Sequence, residues 1–147
     1  MSATRSATWP LLVLNLCVYV TVAALAGSLL NIFVGAQASS VTEDPSTTLH
    51  LITFSLISAA VGIGSAVMGV HHMYAWSLES FSASAASASV SLILSLEALG
   101  IASKEINVGL YRNSTLKALE ALTIIAGVSQ LFYVIVLQLA KVKGEFS

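Results

Sequence analysis

A chain of 147 residues has room for one domain and not for two. Only 9% of its side chains are charged and 56% are apolar, with a mean hydropathy of +0.89; a soluble domain carries about 25% charged residues. Six bases and seven acids cannot solvate the surface of a small water-soluble globule, and a net charge of −1 gives no basic field to capture nucleic acid, so both classes drop out.

Lipid offers the backbone no hydrogen bonds, so a spanning segment is a helix or part of a closed barrel, and about 20 apolar residues make one helical span. The first predicted span covers residues 9–34, inside a charge-free stretch between Arg5 and Glu43. Arg5, the apolar run 11–22 and the small Ala24 and Ala26 also have the layout of a cleavable secretory signal, but the apolar stretch continues past Gly27 to Val34, which favours a retained helix. The second span, 49–70, lies in a window without charge from Pro45 to Leu78. The third, 81–102, is diluted by the serines and alanines of 82–89 and carries Glu97. The fourth, 116–140, is free of charge from Ala121 until Lys141. Runs such as 9–18 do not alternate apolar with polar residues, against a barrel. The expected architecture is all-α: a single integral membrane four-helix bundle, or tetraspan.

Orientation follows the bases near helix ends. With the amino terminus in the cytoplasm, Arg5, Lys141 and Lys143 lie inside, and Lys104, Arg112 and Lys117 lie outside, a tie. The first loop, 35–48, holds Glu43 and Asp44 and no base, which assigns both termini to the cytoplasm. Asn113-Ser114-Thr115 then reads as an external glycosylation sequon, although Asn113 is better placed to cap the fourth helix. The single cysteine, Cys17, can form no internal disulfide.

Small residues let helix backbones approach in lipid. The second helix offers Ser58, Gly62, Ala66 and Gly69, and the third offers Ser84, Ala88, Ser91 and Ser95, so these two helices are expected to pack closely. Asn15, Thr21, Ser28 and Asn31 of the first helix are expected inside the bundle, as is a stripe of the fourth through Glu120, Thr123, Gly127, Gln130, Val134 and Gln138. Glu97 and Glu120 are ionisable residues within spans, which are costly and usually retained for function. Glu97 and Lys104, seven residues apart, share a helical face. His71 and His72 are placed at the headgroup interface beside Tyr74 and Trp76. Three histidines are too few for a histidine-rich di-iron site, and neither a nucleophile elbow nor a phosphate-binding glycine loop is present; no enzyme, metal or cofactor is implied.

His71-His72 with Trp76, the run Ser84-Ala85-Ala86-Ser87-Ala88, the string Lys104-Glu105-Ile106-Asn107-Val108-Gly109 and Leu119-Glu120-Ala121-Leu122-Thr123-Ile124-Ile125 resemble the abscisic-acid-induced wheat plasma-membrane polypeptide (AWPM-like) family. The likeness runs from Leu14-Asn15-Leu16 to Gln130-Leu131, and the K-E-I-x-x-G string is its specific part. The resemblance implies a plant plasma-membrane protein of four helices, tied to abscisic acid, drought or cold stress and seed maturation, with abscisic acid uptake as the implied activity. Ser103 stands where the family commonly has cysteine, and Glu97 where it commonly has an apolar residue. The residues expected to meet the substrate are Lys104, Glu105, Asn107, Arg112, Glu120 and Gln130. Lys104 or Arg112 would attract a carboxylate, and Glu120 would exchange a proton. The expected function is a permease or facilitator for an amphipathic carboxylic acid, in the bilayer as a homo-oligomer or with a membrane-protein partner. The competing class is a non-transporting tetraspan adaptor or membrane stabiliser.

Overall fold

The computed structural model describes residues 3–37, 46–108 and 113–144. They form four helices: α1 (Ala3–Gln37), α2 (Ser46–Ala75), α3 (Leu78–Val108) and α4 (Ser114–Val142). Each helix outruns its predicted span because hydropathy locates only the stretch that matches the hydrocarbon. At 1.5 Å per residue, helices of 29–35 residues are about 44–53 Å long and reach through both headgroup layers. α1 also runs through Pro10, in its second turn, rather than starting there.

α1 packs against α2 and α4, and α3 packs against the same two, so the helices form a closed ring of four in antiparallel sequence. α2 and α3 are joined by Trp76 and Ser77 alone. Trp76 adopts a left-handed backbone, with φ 42°, which a bulky residue takes only where its surroundings fix it. Its ring stacks on His72, the centroids 5.2 Å apart, and its N–H donates to the His72 carbonyl at 2.8 Å. Ser77 then caps α3 by accepting from the Ser80 N–H. α4 is capped as the sequence predicts: the Leu116 N–H donates to Asn113 Oδ1 at 2.7 Å.

The bundle is inverted relative to a soluble protein. Serines, Tyr19, Asn15 and Gln130 are buried, while Val13, Ile32, Val67, Ile93 and Phe132 are exposed around the outside. Only a hydrocarbon solvent rewards that arrangement. Each of the four helices is long and apolar enough to cross a membrane, so this is a tetraspan membrane protein.

The two small-residue stripes are buried at the α2–α3 contact, where Ser58 and Ser95 share a hydrogen bond of 3.1 Å. The glycines do more than bring those backbones together. A Cβ on Gly62 would lie 2.5 Å from the Tyr19 ring of α1, and one on Gly69 would lie 2.5 Å from Leu12 and from the Tyr133 hydroxyl. They are sockets for large side chains from α1 and α4.

Three expected faces differ. Of the four α1 residues expected inside, Asn15 alone is buried; Thr21 and Ser28 bond the carbonyls of Cys17 and Leu25 on their own helix, which satisfies them on the outer face, and Asn31 is exposed. The α4 stripe is buried from Glu120 through Gln130 but reaches the surface at Gln138, because the 3.6-residue repeat drifts off the interior face. The two histidines part: His71 is exposed, and His72 is buried against Trp76 and Phe81 with Nδ1 2.8 Å from Ser80 Oγ.

Candidate functional site

Chemistry collects in three places. The first is a column of polar side chains through the bundle interior. Near one end, Thr48 Oγ1 donates to Glu105 Oε1 at 2.5 Å. Further in, Ser55 and Thr123 meet at 3.3 Å, and Tyr19 reaches across the ring to Ser95 at 2.8 Å and Ser91 at 3.3 Å. Next, Asn15 Nδ2 donates to Gln130 Oε1 at 2.9 Å, and Gln130 Nε2 donates to the Ala88 carbonyl at 3.2 Å. Ser84 and Tyr133 follow at 3.1 Å. Apolar side chains pack around the column in two clusters, one with Leu29, Leu51, Ile52, Leu116 and Leu119, the other with Leu12, Met73, Phe81 and Leu137.

The second place is the buried acids. Glu105 and Glu120 are each 1% exposed. Glu105 Oε2 has no hydrogen-bond partner among the described residues. Adjacent residues on a helix point about 100° apart, so Lys104 and Glu105 diverge: the base faces outward and the acid inward.

The third place is a shallow open groove of about 380 Å³ on the outer face of α2 and α3, lined by Phe54, Glu97, Gly100, Ile101 and Lys104. The two charges sit seven residues, about 10 Å, apart along α3. Between them the floor is apolar, and Gly100 leaves open space where a side chain would stand, with nothing within 4 Å of a Cβ.

The six residues expected to meet substrate are therefore not gathered into one pocket. Lys104 lines the groove; Glu105 and Glu120 are enclosed in the bundle; Gln130 is a buried tie between α1, α3 and α4. Asn107 is exposed and donates to its own helix at the Ser103 carbonyl, 2.8 Å away. Arg112 lies outside the described residues. Glu97 and Lys104 do share a face, as their spacing predicts. Sequence reasoning missed Phe54, Thr48 and Tyr19; only Tyr19 carries a signal, because Leu12, Asn15 and Tyr19 repeat at the spacing of one buried helix face. No cluster of three or more His, Cys, Asp or Glu able to hold a metal occurs among the described residues.

The stretch of chain that forms this framework matches known proteins. The model of the AWPM-19-like family matches residues 13–140. Membrane protein PM19L of Oryza sativa subsp. japonica is 37% identical over 129 residues, covering 87% of this chain and 75% of that protein. No solved structure matches. The family match spans both halves of the Asn15–Gln130 tie and the whole of α2 and α3, and the chain belongs to the AWPM-19-like family.

Proposed function

We propose that the protein is a plasma-membrane facilitator for a small amphipathic carboxylic acid, with abscisic acid as the expected ligand in a stress response. The observation that carries this reading is the groove in which Lys104 and Glu97 flank an apolar floor. Lys104 offers the carboxylate a charge-assisted hydrogen bond. Phe54 and Ile101 receive the apolar body above Gly100, and Glu97, two turns deeper, accepts from a hydroxyl on the ligand. The groove volume falls within the usual ligand range of about 300–1,000 Å³. With both termini in the cytoplasm, the Lys104 end opens outside, so capture there leads to uptake down a gradient.

Uptake of labelled abscisic acid into proteoliposomes tests this. The intact chain should exceed protein-free vesicles, and Lys104→Gln should lose most of the excess. Gly100→Leu should do the same by filling the groove, with the bundle intact because its site is empty. Rates equal to those of protein-free vesicles would reject the reading.

The second reading, a non-transporting membrane stabiliser, is favoured by an interior whose polar side chains bond one another and are packed among apolar clusters. It expects Lys104→Gln and Gly100→Leu to leave every property of the membrane unchanged.

A further inference from the structure

Two buried polar atoms near the middle of the bundle have no hydrogen-bond partner among the described residues: Asn15 Oδ1 and Ser65 Oγ. Asn15 is 1% exposed and Ser65 2% exposed, so bulk water reaches neither. A buried polar atom without a partner is rare in folded proteins, and an enclosed water is one of the few remedies.

The helix register places the two residues at one level of the bundle. Leu12 of α1 lies against Gly69 of α2, and Tyr19 lies against Gly62. Because α1 and α2 are antiparallel, Asn15, between Leu12 and Tyr19, is level with Ser65, between Gly62 and Gly69. Positions 12, 15 and 19 form one buried stripe, positions 62, 65 and 69 form the facing one, and both glycines already accommodate neighbours.

Neither residue satisfies itself in the conformation that the structure shows. Thr53 and Ser89 bond the carbonyls four residues back on their own helices, whereas the Ser65 hydroxyl does not. Turning the Asn15 amide over would not help. Its Nδ2 donates to Gln130 Oε1, and Gln130 Nε2 is held by the Ala88 carbonyl. Reversing Asn15 would force Gln130 to reverse too and set two oxygens against each other at Ala88.

We propose that one buried water bridges Ser65 Oγ and Asn15 Oδ1, accepting from the serine hydroxyl and donating to the amide oxygen. That water completes the interior polar column at the layer where α1, α2, α3 and α4 all contribute. The site does not depend on ligand binding in the outer groove.

Proton-detected solid-state NMR of the full chain in bilayers with deuterated acyl chains tests it, with magnetisation started on water. Transfer to Asn15 and Ser65 should build up early, well ahead of Ser58 and Ser95, which bond each other and serve as internal controls. In Ser65→Ala, the early transfer to Asn15 should be lost while the Gln130 side-chain amide signals hold their positions, showing the α1–α4 tie intact. Transfer to Asn15 no faster than to Ser58 would overturn the proposal, and so would transfer to Asn15 that survives Ser65→Ala.

Discussion

Glu105 accepts one hydrogen bond, from Thr48, and its other carboxyl oxygen has none among the described residues. A glutamine of the same shape would keep the acceptor for Thr48 and carry no charge into the bundle. Glu105→Gln is therefore expected to melt at or above the temperature of the unmodified chain in detergent, whereas Glu105→Ala, which strands the Thr48 hydroxyl, should lower stability by about 1–3 kcal/mol. Gln130 is a different case, since it joins three helices. Gln130→Leu should cost about 1–2 kcal/mol, the range for polar contacts between helices in lipid, measured by the same melting assay. The Lys104-Glu105 pair shows why the candidate site was only partly legible. A motif is read along the chain, but a helix turns neighbouring residues to different faces, so two letters that look like one unit act in two environments. The tie between Asn15 and Gln130, 115 residues apart, leaves no mark in local pattern at all.

The four spans were readable from runs of apolar residues, and the α2 and α3 stripes from their small-residue repeat. Apart from the start of α4, marked by its Asn113 cap, the ends of the helices were not, since polar residues continue the helix into the headgroups without raising hydropathy. Nor was the outward face of α1, because a threonine or serine that bonds the preceding turn hides its polarity from lipid. The glycine sockets carry the prediction at this level. Gly62→Ala should force the Tyr19 ring out of its seat, at a cost of about 1–3 kcal/mol for overpacking. Combined with Tyr19→Leu, which empties that seat, the loss should be smaller than the sum of the two single losses; additive losses would show that ring and glycine do not meet.

Across the entire bundle, four spanning helices make an even number of crossings. Cys17 is exposed on the outer face, so Cys17→Ala should leave a folded background without thiols. Single reporter cysteines at Ser6 and at Lys143 should then react with an impermeant maleimide from the same side of sealed vesicles. Opposite sides would be incompatible with four antiparallel helices.

The Asn15–Gln130 bond also sets a schedule for biosynthesis. At roughly 5–20 residues per second, the ribosome adds the 115 residues separating these partners in about 6–23 s. Until the last helix enters the bilayer, the Asn15 amide faces an assembly that lacks its Gln130 partner. A nascent chain halted after α3 would carry that unmet donor as a label of incompleteness, open to the membrane's quality-control machinery.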